Sequence, residues 1–159
     1  MCERQDAVCA WVAEELERGR RGELEGKTHA PVPPKWARRD QSREMLQYGT
    51  YTHSNRVDAE TRVAAMPAIF EDVLDALVAR GVIGKDEKMD SCTVNVYGKG
   101  QWIPPHIDNP TFARPFGTGS LASAQTMTMG RGMLWPGACS CTHLKPPTSL
   151  TRWLPRGSP

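Results

Sequence analysis

Two pairs of side chains stand out by type and spacing: Asn95 with Tyr97 and, after eight intervening residues, His106 with Asp108. In each pair the members are two residues apart, the spacing that sets both side chains on one face of an extended chain. An imidazole and a carboxylate so placed can share one divalent cation without bending the backbone. A neutral His nitrogen with a hard carboxylate oxygen suits iron(II). In non-haem iron chemistry two imidazoles and one carboxylate hold one face of the metal and leave three positions open for a cosubstrate and oxygen. His106 and Asp108 would supply two of the three ligands, and the third must arrive from a later strand. A bare His-x-Asp is usually an exposed polar edge. A metal-binding module without oxygenase chemistry fits His-x-Asp but not Asn95-x-Tyr97.

The elements that must position these residues are legible in outline. Val8, Trp11, Val12 and Leu16 recur at helical spacing and predict a helix from Asp6 to about Arg18, ended by Gly19. A second helix starts at Pro67, carries the apolar stripe Ile69, Phe70, Val73, Leu74, Leu77 and Val78, and stops at Gly81. Between them, Pro31 to Asn55 is rich in Pro, Arg and Tyr and reads as loops with short strands. Cys92 to Tyr97 alternates with β-branched residues and predicts a strand, with Val94 and Val96 on one face and Asn95 and Tyr97 on the other. Gly98-Lys99-Gly100 follows as a turn, and Gln101 to Asp108 is expected to run on as an adjacent extended segment.

Composition narrows the function classes. The 159 residues suit one domain, and the 39% hydrophobic content is that of a globular chain. No run of 18 or more apolar residues occurs and the N-terminus lacks a signal-peptide stretch, so the chain is expected to be soluble and intracellular, in nucleus or cytoplasm, with no membrane partner. Five irregularly spaced cysteines argue against a disulfide framework and are expected to be reduced thiols. The net charge of +2 conceals eight basic residues against three acids between Arg18 and Arg43, a stretch that either meets phosphates or simply stays wet.

The motif Asn95-x-Tyr97, eight residues, His106-x-Asp108 resembles the AlkB family of oxidative demethylases. The flanking words, Asp90-Ser-Cys-Thr-Val-Asn-Val-Tyr97, Ile103-Pro-Pro-His-Ile-Asp-Asn109 and Phe112-x-Arg114-Pro-Phe116, look like its eukaryotic branch of mRNA N6-methyladenosine demethylases. Arg43-Glu-Met-Leu-Gln-Tyr-Gly49 resembles the segment entering that family's nucleotide-recognition lid. The resemblance covers roughly residues 5 to 133. It implies iron(II) held by His106 and Asp108, 2-oxoglutarate contacted by Asn95 and Tyr97, and oxygen as the oxidant. It implies an α+β fold, a double-stranded β-helix or jelly roll flanked by N-terminal helices. It implies a methylated base of single-stranded RNA as substrate, stacked on an aromatic ring, either Tyr51 or Tyr48.

The family pattern also requires a later histidine and a pair of arginines, one of which clamps 2-oxoglutarate. Downstream lie His143, Arg152 and Arg156, in flanking sequence unlike the family's closing strands. After Asp108 there is no acidic residue, and seven of the 13 prolines fall there. The expected organisation is therefore a partial AlkB-like domain over 1–136 and an irregular Pro-rich tail over 137–159, the C-terminal half being atypical or truncated. Two functions stand: an active iron(II)- and 2-oxoglutarate-dependent demethylase, or a non-catalytic fragment retaining RNA or metal affinity. Oligomeric state is open.

Overall fold

The computed structural model describes residues 2–37, 41–113, 116–123, 126–129, 140–143 and 150–152; of the strands beyond residue 123 it describes only the backbone pairing. The chain forms two units, one of residues 11–112 and one of residues 1–10 with 113–159. The class is α+β with antiparallel strands.

Helix α1 spans Cys2–Arg20, longer at both ends than its apolar spacing predicts. It runs through Gly19 and stops at Gly22, where φ is +74°. The Glu23 amide donates to the Arg18 carbonyl and the Gly22 amide to the Gly19 carbonyl, both at 3.0 Å, which is a Schellman stop. Gly19 serves a different need, since a Cβ there would lie 2.5 Å from the His29 ring. Helix α3, Ala68–Ala79, follows Pro67 as its extended N-cap and ends in the same way, with Gly81 at φ +66° and the Val82 amide donating to the Leu77 carbonyl. Of its apolar stripe only Leu74 is buried; the rest is half-buried. A short helix, α2, covers Pro34–Ala37.

Strands β1 (His29–Ala30), β2 (Glu44–Tyr48) and β5 (Cys92–Val96) form a three-stranded antiparallel sheet in the order β1-β2-β5. The β2–β5 register sets Met45 against Asn95 and Leu46 against Val94. Period two then divides the sheet. One face carries Glu44, Leu46, Tyr48, Val94 and Val96, and the other Met45, Gln47, Thr93 and Asn95. The first face builds the core: Leu16, Leu46 and Tyr48 are buried, with Trp11, Val12, Leu24, Met66 and Phe70 packed against them. Trp11 lies edge-on to Phe70 at 5.3 Å and tilted to Tyr48 at 5.6 Å. The Tyr48 hydroxyl donates to Glu15 Oε2 at 2.9 Å. Burial, then the Glu15 carboxylate, holds that phenol far above its ordinary pKa.

Strands β3 (Tyr51–His53) and β4 (Arg56–Asp58) make a two-residue hairpin, joined to β2 where the Thr52 amide and hydroxyl donate to Gln47 Oε1 at 2.8 and 2.9 Å. In the other unit β6 (Gly117–Gly119) pairs with β9 (Leu150–Arg152), and β7 (Thr126–Met129) with β8 (Ser140–His143). Strands β8 and β9 fall inside the tail expected to be irregular; residues 144–149 and 153–159 lie outside the described residues. The jelly roll is not what the described strands form, since they give one three-stranded sheet and three separate pairs. Part of the reason is local: Pro104 and Pro105, in the segment that would extend the first sheet, have no amide to donate to a ladder.

At the start of the central strand Glu44 joins three elements, accepting from Arg20 Nη2 at 2.6 Å and from His29 Nε2 at 2.7 Å. The Arg20 hydrogen bond, opposed in part by burial, keeps the Glu44 carboxyl below its usual range. A depressed folded pKa contributes stability that is present above the ordinary glutamate value of about 4.3 and lost as pH falls through the folded value. Glu44→Gln is therefore expected to lower the urea midpoint most at neutral pH and to converge on the parent as pH falls through the acid range, which flattens that side of the profile. Tyr48→Phe keeps the ring but removes the donor to Glu15, and is expected to lower stability by about 1–3 kcal/mol in chemical denaturation.

Candidate functional site

The open face of the β2–β5 sheet carries the first polar pair. Asn95 is exposed and Tyr97 is 40% exposed, both on the face opposite the core as alternation predicts. Arg43 precedes β2 by one residue, and the register continued by one step sets it opposite Tyr97 and diagonal to Asn95. Its Nε donates to Asn95 Oδ1 at 2.6 Å. Partial burial pushes the Tyr97 phenol up, and the Arg43 cation opposes that rise. A guanidinium, a carboxamide and a phenol on one face form a surface that can receive a carboxylate.

The chain then turns as predicted over Gly98-Lys99-Gly100. The Gln101 amide donates to the Gly98 carbonyl at 3.0 Å, with Gly100 at φ +80°. Gln101 locks the turn: its Oε1 accepts from the Gly98 amide at 2.6 Å and its Nε2 donates to the buried Ser42 hydroxyl at 3.1 Å. The turn is thereby fixed to the residue beside Arg43.

Residues 101–109 are irregular rather than the extended segment expected, yet they still bring the second pair together. His106 Nε2 lies 3.5 Å from Asp108 Oδ1, and His106 Nδ1 lies 2.8 Å from the Pro104 carbonyl oxygen. A carbonyl can only accept, so Nδ1 carries a proton. In the neutral imidazole Nε2 is then a bare lone pair facing a carboxylate oxygen. Two such acceptors are stable together when a cation or a proton stands between them. A separation of 3.5 Å also fits two ligand atoms with metal bonds of about 2.1 Å. Among the described residues no cluster of three His, Cys, Asp or Glu side chains forms. His143 ends β8 opposite Thr126, and Arg152 ends β9 opposite Gly117, but their side chains, like all of Arg156, lie outside the described residues.

Of the two candidate base-stacking rings, Tyr48 is excluded by its burial at 1% exposure in the core. Tyr51 is half-buried on the hairpin, its ring parallel to that of His53 within 4° and 6.3 Å away between centroids. The basic run is partly spent internally: Arg18 pairs with Glu15, Arg20 with Glu44, and Arg21 with Glu23 at 3.0 Å. Arg38 and Arg39 lie outside the described residues. Cys9 and Cys92 are free thiols, and burial pushes the Cys92 thiol up to about 11. Among the described residues no helix is long and apolar enough to cross a membrane.

No protein-family model and no solved structure matches the chain. It is 35% identical over 125 residues to RNA demethylase ALKBH9B of Arabidopsis thaliana, a match covering 74% of the chain and 24% of that protein. It is 26% identical over 129 residues to RNA demethylase ALKBH10B of the same plant, covering 76% of the chain and 22% of that protein. The chain thus spans about a quarter of the length of these relatives. Sequence likeness over three quarters of its length, added to the motif pairs described above, establishes that the chain belongs to the AlkB-like RNA demethylase family.

Proposed function

We propose that the chain carries part of an iron(II)- and 2-oxoglutarate-dependent oxygenase site that removes N-methyl groups from RNA bases, N6-methyladenosine in single-stranded RNA foremost. The observation that carries the reading is the His106–Asp108 pair, in which a carbonyl-anchored imidazole sets its Nε2 3.5 Å from a carboxylate oxygen. Anchoring the far ring nitrogen on a carbonyl is how metal-binding histidines are commonly oriented. In this reading His106 Nε2 and Asp108 hold iron(II), and Asn95, Tyr97 and Arg43 receive 2-oxoglutarate. Tyr51 stacks on the base. Iron(II) held there would supply oxygen activation, one oxygen atom of O2 ending on the N-methyl carbon and the other in the succinate formed, with carbon dioxide, from 2-oxoglutarate. The hydroxymethyl product then breaks to formaldehyde and the free amine. The chain's own groups bind and orient the reacting partners. The names of the relatives, both RNA demethylases, support RNA as substrate. The jelly roll of the family is proposed for the whole protein, with the β1-β2-β5 sheet as part of one wall.

A second reading, favoured by the flanking sequence of His143, Arg152 and Arg156, which is unlike the family's closing strands, is a fragment that binds metal or RNA without turnover. Formaldehyde and succinate release from N6-methyladenosine RNA, with iron(II), 2-oxoglutarate and ascorbate, separates the two. Turnover that falls to background in both His106→Ala and His143→Ala supports a complete site closed by His143. A folded parent chain without turnover supports the fragment. If turnover occurs, Asn95→Ala is expected to raise the KM for 2-oxoglutarate about tenfold, the ratio for losing one hydrogen bond to a charged group. An unchanged KM would remove Asn95 from the cosubstrate site.

A further inference from the structure

Asp108 sits in an irregular loop with no ladder to hold it, and its side chain is 38% exposed. What fixes it comes from the β3–β4 hairpin. Asn55 Nδ2 donates to the Ile107 carbonyl at 2.7 Å, and Asn55 Oδ1 accepts from the Asn109 amide at 3.1 Å. Asn109 Nδ2 returns a bond to the Asn55 carbonyl at 2.9 Å. The Ile107 carbonyl and the Asn109 amide are the peptide groups on either side of Asp108. One carboxamide therefore grips both, in the manner of the peptide edge of a neighbouring strand.

The hairpin's own geometry restricts which residue can do this. Its two-residue turn has positive φ at both positions, 50° at Ser54 and 60° at Asn55, as type I′ turns require. That conformation favours Gly, Asn and Asp. Gly has no side chain and Asp no donor for the Ile107 carbonyl, so of the residues suited to the turn only Asn offers both a donor and an acceptor. We propose that Asn55 is a positioning residue that holds Asp108 beside His106 so that the two can share a cation. The proposal rests on the metal reading above for its purpose, but the grip on residues 107–109 stands on geometry alone. It also ties the hairpin that carries Tyr51 to the loop that carries the proposed metal ligands.

The test uses the full chain, Mn(II) as probe, and the variants Asn55→Gly and Asn55→Asp. Gly is at ease at φ 60°, so Asn55→Gly removes the grip without straining the turn. It is expected to bind Mn(II) about tenfold or more weakly than the parent, the usual loss when an outer-shell partner is removed, with a thermal midpoint that does not fall in step. Asn55→Asp, which keeps the acceptor but sets a carboxylate against the Ile107 carbonyl, is expected to bind Mn(II) no better than Asn55→Gly. Exchange of the Asn109 amide is expected to quicken in Asn55→Gly. Parent-like Mn(II) binding by Asn55→Gly, or unchanged exchange at Asn109, overturns the proposal. A parent chain showing no Mn(II) uptake that His106→Ala abolishes fails the metal reading itself. The positioning role toward a cation then falls with it, while quickened exchange at Asn109 would still show the grip.

Discussion

Strand alternation in β2 and β5 is the constraint on which both the fold and the candidate site depend. Leu46 and Tyr48 point one way into a core of helix side chains, while Asn95 and, beyond the ladder, Arg43 and Tyr97 point the other. Because the period is two, a slip of one residue in either strand would send its apolar set to the open face and its polar set into the core. Burying an aliphatic or aromatic side chain is worth roughly 1.5–3 kcal/mol, and an unpaired amide in its place costs more again. The packing of Leu46 and Tyr48 therefore fixes which way Asn95 faces. Stability and chemistry are set by the same register.

The loop that follows has no such ladder, and its order comes from side chains acting as substitutes for one. Gln101 closes the turn after β5 and reaches Ser42, while Asn55 grips the peptides around Asp108. Both are carboxamides, which offer a donor and an acceptor in the same plane as a peptide does. Pro104 and Pro105 explain why the substitution is needed: they stiffen the approach to His106 but supply no amide for a strand partner. The Pro104 carbonyl, left without a ladder bond, takes the His106 ring instead.

Much of this could be read from local pattern, and what could not is non-local. The helical stripes, the Gly81 stop of α3, the strand at 92–96 with Asn95 on its polar face, and the turn after it rest on short-range periodicity and emerge where expected. Helix α1 outran its apolar spacing because Gly22, not Gly19, offers the left-handed stop. Tyr48 and Tyr51 looked alike as candidate rings; only the register, with Leu46 and Tyr48 on the α1 side, assigns Tyr48 to the core. The parts played by Arg43 and Asn55 depend on partners 52 residues away in each case, beyond the reach of any window. A turn signal was present in Ser54-Asn55 between two strand-like words, but it marks a hairpin and says nothing of what its tip touches.

The β2–β5 ladder also has a kinetic meaning. Its pairs, from Tyr48 with Cys92 to Glu44 with Val96, join segments more than forty residues apart. Closing so long a loop carries an entropic cost that local helix formation does not, and non-local pairing is the slow step in chains of mixed topology. Helix α3 lies within that loop and can form before it closes. The face bearing Asn95, Tyr97 and Arg43 therefore comes into being only when the last and slowest contacts of its sheet are made, so that these three groups meet only in chains whose core has already closed around Leu46 and Tyr48.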